Sequence, residues 1–178
     1  KRYAFEAGQR AVQAHYDRIG VKAQVLQGEY LGLYRTRFLR DHDPLISIII
    51  PNKDHIDDLR RCMESIEEKS TYRNYEYIIV ENNSTEAETF AYYKKLEAEN
   101  PKVNVIYWDG PFNYSAINNF GAEHAKGEYL LLLNNDTEII NPDCLEELLG
   151  YCMRPDVGIV GARLYYEDDT VQHAGVVL

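Results

Sequence analysis

Ile46-Ser47-Ile48-Ile49-Ile50-Pro51-Asn52-Lys53-Asp54 passes from a nearly unbroken apolar segment into a polar, turn-forming end. A strand that is apolar throughout, rather than at every second position, is one covered on both faces, as in a parallel sheet flanked by helices. The residues that follow supply such a cover. Ile56, Leu59, Met63 and Ile66 recur at steps of three and four, which places them along one stripe of a helix. Strand, polar turn, amphipathic helix is the repeating unit of an α/β fold.

Outward from this unit the same alternation recurs. Tyr75 to Val80, Val103 to Trp108, Tyr129 to Leu133 and Val157 to Leu164 read as further strands, and roughly 85–98 and 114–126 as crossover helices. Leu145, Leu148, Leu149 and Cys152 mark another helix, with Asn141 as N-cap and Pro142 at the first helical position. The expected fold class is α/β: an open, mainly parallel, Rossmann-like sheet with helices on both faces. Residues 1–44 differ in texture. Phe5, Val12, Tyr16 and Ile19 share one side of a helix that Gly20 stops, and Val21 to Leu26 form a short strand before an Arg-rich stretch. This part is expected to be an N-terminal extension or linker from a preceding module, with 45–178 as the main unit.

With 178 residues, 45% of them hydrophobic, the chain has the size of one ordinary domain. No apolar run approaches the ~18 residues of a membrane span. The net charge is −10. Residues 1–44 carry 8 basic and 5 acidic side chains, and 45–178 carry 11 and 24, so the main unit is strongly acidic. Nucleic acid and anionic membranes are therefore excluded as general partners, and an anionic ligand needs a cation or backbone donors. Cys62, Cys144 and Cys152 are odd in number and lack metal-type spacing, which points to a reducing, cytoplasmic compartment. Lys1 and Arg2 are followed by Tyr3, Glu6 and Gln9 rather than an apolar stretch, so no secretory signal is expected here, and the missing initiator Met suggests a piece of a longer parent chain.

Ligands of open parallel sheets bind at the carboxyl ends of the strands. Four polar clusters fall there: Pro51 to Asp54, Glu81 to Ser84, Asp109 to Asn113, and Asn134 to Glu138. Turn chemistry accounts for any one of them, but all four share one rim. No Gly-rich dinucleotide fingerprint or phosphate loop is present. An acidic domain can still hold a diphosphate through a divalent metal, and Asp136 is the best-placed carboxylate. Hard oxygen ligands favour Mg2+ or Mn2+.

Four strings in this order, each at a strand end, resemble the family 2 glycosyltransferases of the GT-A fold: Ser47 to Pro51, Ile79 to Thr85, Asn118 to Ala122, and Gly127-Glu128-Tyr129 leading to Leu133-Asn134-Asn135-Asp136. The resemblance implies inverting transfer of a sugar from a nucleoside-diphosphate sugar, UDP- or dTDP-linked, to a saccharide or lipid-linked acceptor. Pro51, Asn52, Lys53 and Asp54 match the family's first nucleotide-contacting loop. Glu81 and Asn82 match its acidic pair, with Asn82 in place of the usual Asp. Its carbonyl can accept the N3–H of uracil or thymine. Asn113 and Asn119 fall where the family approaches the diphosphate and donor sugar. Asn134, Asn135 and Asp136 match the metal-binding DXD element with its first Asp replaced, leaving Asp136 as the metal ligand. The family's general base lies downstream of its donor half, so the expectation is a donor-binding part, inactive alone, with the base beyond Leu178.

The stretch Tyr166 to Gly175, and that from Ala11 to Arg37, resemble parts of multi-module enzymes of bacterial surface-polysaccharide synthesis that make rhamnose- or galactose-containing polymers. This implies further modules in the parent and a place at the inner face of the membrane. His173 could approach the metal or acceptor, although a lone His is more often structural. Two rival readings stand beside this one. A sugar nucleotidyltransferase would need a Gly-rich basic loop where Pro51 to Asp54 has no glycine, and a noncatalytic nucleotide-binding or assembly module would treat Asn82 and Asn134 as lost chemistry.

Overall fold

The computed structural model describes residues 2–175. In chain order its elements are α1 (Arg2–Arg18), β1 (Ala23–Gln27), β2 (Tyr34–Phe38), β3 (Ile46–Asn52), α2 (Ile56–Lys69), β4 (Tyr75–Glu81), α3 (Ala87–Glu99), β5 (Val103–Tyr107), α4 (Tyr114–Glu123), β6 (Tyr129–Leu132), α5 (Cys144–Cys152), β7 (Leu164–Tyr165) and β8 (Val171–His173). Asp43–Cys144 form one compact unit; residues 2–42, together with 145–175, form another.

The first unit holds a four-stranded parallel sheet in the order β5-β4-β3-β6. Its centre is the mostly apolar sequence of β3 and β4, interrupted at Ser47 and Glu76. Ile48, Ile49, Ile50, Tyr77, Ile78, Ile79 and Val80 are fully buried, so both faces of these strands are covered, as that pattern demands. On one face Ile49, Ile78, Val80 and Ile106 pack with Ile117 of α4. Gly121 makes that contact close: a Cβ there would lie 2.5 Å from the Ile49 methyl Cγ2. The alternate residues turn to the other face, where Tyr93 of α3 meets the ends of β3 and β4. β3 runs two residues further than the apolar pattern suggests. Pro51 sits past the last β3–β6 pair, Ile49 with Leu132, where its lack of an N–H costs no ladder bond.

Three expectations are corrected. β6 is covered on one side only, with Leu130 48% and Leu132 47% exposed. Among the described residues it pairs with β3 alone, at the edge of the sheet. The run Val157 to Leu164 forms no strand before Leu164. Gly158 and Gly161 break it, and Ile159 is 87% exposed; a strand interrupted by residues without side chains has nothing to pack. The helix after Pro142 begins at Cys144, and Asn141 instead accepts the Cys144 N–H through its backbone carbonyl, as in a turn.

In the second unit, Gln13 of α1 holds β1 by donating to the Ala23 carbonyl (2.8 Å) and accepting from the Val25 N–H (2.9 Å). Gly20, at φ +70°, ends the α1 turn. β1 and β2 pair antiparallel. The Arg-rich stretch is β2, and its Arg35 and Arg37 both pair with Glu147 of α5, at 2.9 and 2.8 Å. β7 and β8 form a short antiparallel hairpin. No helix among the described residues is long and apolar enough to cross a membrane.

Candidate functional site

The strand order reverses between β3 and β6. The chain steps outward through β4 and β5, then returns to the other side of β3. Loops leaving adjacent strands in opposite directions open a crevice at their carboxyl ends, the place where open α/β sheets bind ligands. Asn52 and Asn135 close on each other across this switch point, Asn135 Nδ2 donating to Asn52 Oδ1 at 2.7 Å. The loop of Asn134 to Asp136 is thereby joined to the Pro51 to Asp54 segment.

From Asn52 the network spreads to the next strand. Asn52 is 3% exposed; its Nδ2 donates to the Tyr93 hydroxyl at 2.7 Å and to the Asp54 carbonyl at 2.8 Å. Tyr93 donates in turn to Glu81 Oε2 at 2.8 Å. Glu81 also accepts from the Ser84 N–H and hydroxyl, so its buried carboxylate is fully engaged inside the protein. Asn82 is buried as well, and its Nδ2 reaches the carbonyls of Gly110 (3.2 Å) and Trp108 (3.5 Å). With the amide nitrogen so placed, Oδ1 is the group Asn82 has left to offer a ligand.

Asp54 and His55 both take left-handed backbone, at φ 51° and 47°. This turn points the Asp54 N–H at Ser84 Oγ (2.7 Å) and its carboxylate at the N–H groups of Thr85 (3.0 Å) and Glu86 (3.1 Å). Burial pushes the Asp54 carboxyl up, but the bonds from Glu86, Thr85 and Thr89 outweigh it and hold the group below its ordinary value of 3.8. The stabilisation this brings to the loop is present above the ordinary value and is lost as pH falls through the lowered one. A cavity of about 440 Å³ beside Asp54 is lined by Asp57, Asp58, Glu86 and Glu88, a field that repels a diphosphate.

The loop carrying Asn134 to Asp136 is seated along α2. The Cys62 thiol, pushed up to about 12 by burial, stays protonated and donates to the Asn134 carbonyl at 3.7 Å. Ser65 Oγ accepts the Ile139 N–H at 3.1 Å, Lys69 Nζ donates to the Ile139 carbonyl at 2.9 Å, and Thr71 N donates to the Pro142 carbonyl at 2.9 Å. Ser65 is 5% exposed. Ser65→Ala therefore strands a buried N–H and should lower the unfolding free energy by about 1–3 kcal/mol, read as a shifted urea midpoint.

Asp136 itself is exposed on this loop, as is Asn134. Among the described residues no group of three or more His, Cys, Asp or Glu side chains could hold a metal ion. The donor set fits Mg2+ or Mn2+ only in the manner of phosphate-bound ions, with one protein carboxylate and the remaining ligands from phosphate and water. Lys53 is exposed on the rim. Asn113 spends its side-chain oxygen on capping α4, accepting from the Ala116 N–H at 3.0 Å. Asn119 is exposed on the same helix. Neither joins the Asn52 network by a hydrogen bond.

Residues 47–175 match the sequence profile described as Glycosyl transferase family 2. The chain belongs to glycosyl transferase family 2. It is 44% identical over its whole length to the y4gI protein of Sinorhizobium fredii, of which it spans 20%. It is 43% identical over 98% of its length to the O-antigen biosynthesis protein RfbC of Myxococcus xanthus, of which it spans 14%. Among solved structures, a mannosyltransferase of Pyrobaculum calidifontis, in complex with GDP-Man and Mn2+, superposes on 66% of this chain and 35% of its own, with TM-score 0.59 and 18% identity. That likeness is one of fold.

In this family 2 chain, the residues that organise the rim include several that the loop motifs do not mark. Tyr93, Cys62 and Ser65 lie inside helices, and the chain's 15 tyrosines read at first as packing. The available signal was position: a tyrosine on the buried side of a helix that crosses strands ending in Asn52 and Glu81 needs a polar partner for its hydroxyl.

Proposed function

We propose that these residues bind the nucleoside-diphosphate sugar donor of an inverting glycosyltransferase, a UDP- or dTDP-sugar held with Mg2+ or Mn2+, whose sugar goes to a polysaccharide or glycolipid acceptor. The observation that carries the reading is the Asn135 to Asn52 hydrogen bond of 2.7 Å at the switch point. It joins the segment Asn134 to Asp136 to the segment Pro51 to Asp54 at the carboxyl ends of the strands, where open α/β sheets bind ligands. The similarity to RfbC, an O-antigen biosynthesis protein, and to the mannosyltransferase complexed with GDP-Man and Mn2+ supports the acceptor class and the metal.

In this reading Asn82 reads the base. Its Nδ2 is committed to backbone carbonyls, so Oδ1 accepts an N–H from the base edge. Uracil and thymine present a donor at N3; cytosine presents an acceptor there. Asp136 binds the metal, which supplies Lewis-acid stabilisation of the departing diphosphate. Glu81, held by Tyr93 and Ser84, fixes the backbone of the base loop rather than touching ligand. The chain spans a fifth or less of the two bacterial relatives, so donor binding is the role proposed for these residues, and sugar transfer for the whole protein.

Calorimetric titration with UDP, dTDP, GDP and CDP, each with MnCl2, tests this. UDP or dTDP should bind and CDP should not. Binding of GDP alone would move the donor to a purine nucleotide, and no binding by any of the four at millimolar concentration would favour an assembly module.

A further inference from the structure

The hydrogen bonds that cross the rim run in one sense. Asn135 donates to Asn52, Asn52 donates to Tyr93, and Tyr93 donates to Glu81, at 2.7, 2.7 and 2.8 Å. The chain ends on a carboxylate, and each bond polarises the next toward it. The direction also fixes the Asn52 amide: its Nδ2 must face Tyr93, so its Oδ1 must face Asn135. Tyr93 is the link that runs through the buried core, beside the shallower bond from the Asp54 N–H to Ser84 Oγ at 2.7 Å. Its ring is fully buried, packed edge-on against Phe90, and its hydroxyl is the only group of α3 that these hydrogen bonds join to both β3 and β4.

We infer that Tyr93 is a positioning residue that couples the two halves of the nucleotide site, so that ordering the loop at 134–136 also orders the loop at 81–84. The inference rests on the proposed donor site and adds to it a prediction of cooperativity. The base half, at Asn82, and the diphosphate half, at Asp136, share one polarised chain. A ligand that engages one loop lowers the ordering cost of the other, and the effect is reciprocal. Phenylalanine at 93 keeps the ring in the core but removes both bonds at once, leaving Asn52 Nδ2 held by the Asp54 carbonyl alone and Glu81 one donor short. Burial already pushes the Tyr93 hydroxyl well above its ordinary range, so it remains a donor throughout the accessible pH range.

The experiment uses the 178-residue chain and its Tyr93→Phe variant, titrated with UMP without metal and with UDP with and without MnCl2. The variant should bind UMP about 5- to 10-fold more weakly, and the gain in UDP affinity on adding Mn2+ should shrink by a similar factor, the size expected for one buried hydrogen bond. A ligand-free reading accompanies it: in two-dimensional amide NMR spectra, the Asn135 side-chain resonances should shift in Tyr93→Phe although Tyr93 does not hydrogen-bond Asn135. A variant with both affinities and the Asn135 resonances unchanged overturns the inference, as does one that loses UMP affinity while keeping the full Mn2+ gain. Should Tyr93→Phe fail to fold, Asn135→Ala tests the same chain from its accessible end. It should move the Ser84 amide and weaken UMP, and an unmoved Ser84 amide overturns the coupling. Wild-type protein that binds none of these nucleotides would sink the donor-site reading, while the ligand-free shifts would still decide whether the chain is coupled.

Discussion

Asp136→Ala should remove the Mn2+-dependent part of nucleotide binding, a loss on the order of 100-fold in UDP affinity at saturating metal, as expected when a metal site loses its protein anchor. The size follows from the charge balance of the rim. The unit that carries it is acidic, and no Gly-rich nest offers backbone donors, so a diphosphate has little to hold it except a cation. Asp136 is the exposed carboxylate of its triplet, and no cluster of three candidate ligands exists elsewhere among the described residues to replace it. Exposure also means that the substitution leaves the core intact, so thermal unfolding should be unchanged and UMP binding without metal should persist. Asn134→Asp, in the same titration, should tighten Mn2+ binding by restoring a second carboxylate. Full metal dependence in Asp136→Ala would place the ion elsewhere and refute the role given to this loop.

The central strands were legible because Ile46 to Ile50 and Tyr75 to Val80 are apolar on both faces at every position but one each, Ser47 and Glu76, a pattern that two-sided burial explains, and both are buried accordingly. The outer run at 157–164 misled for the complementary reason. Apolar composition alone does not make a strand, and Gly158 and Gly161 remove the side chains that would pack. β6 was legible as a strand but not as an edge, since strand order is set by long-range pairing that no local pattern records. At the rim, the polar clusters identified which loops gather, whereas their internal wiring is a tertiary property. Asn113 has the composition of a ligand residue and the geometry of a helix cap, and Tyr93 has the composition of packing and the geometry of a hub. A hydrogen bond between residues 41 positions apart, as from Asn52 to Tyr93, leaves no periodic trace in the chain.

Gly127→Ala should destabilise the protein by about 3 kcal/mol or more, from overpacking and the loss of a hydrogen bond tied to a charged group. Gly127 does not need an unusual dihedral; it needs space. A Cβ would sit 2.6 Å from the Ser47 backbone nitrogen, 2.7 Å from the Leu45 carbonyl oxygen and 2.7 Å from Ser47 Oγ, and the first two belong to backbone that cannot swing aside. The same spot is bound by a buried cluster. The Gly127 N–H donates to Ser47 Oγ at 2.8 Å, Ser47 donates to Glu76 Oε1 at 2.7 Å, and the Lys126 N–H donates to that oxygen at 2.8 Å. Ser47 is fully buried and Glu76 9% exposed, so displacing the 126–127 turn strands a carboxylate as well as a hydroxyl. β6 starts two residues later and leads directly into Asn134 to Asp136, so the damage should reach the rim: any Gly127→Ala protein that folds should lose affinity for UDP with Mn2+ alongside its lowered urea midpoint. Gly158→Ala, where nothing lies within 4 Å of the added Cβ, should stay within about 0.5 kcal/mol of the parent. Equal urea midpoints for the two variants would show that the start of β6 yields freely, and the close approach at Gly127 would then have no part in setting the loop that follows.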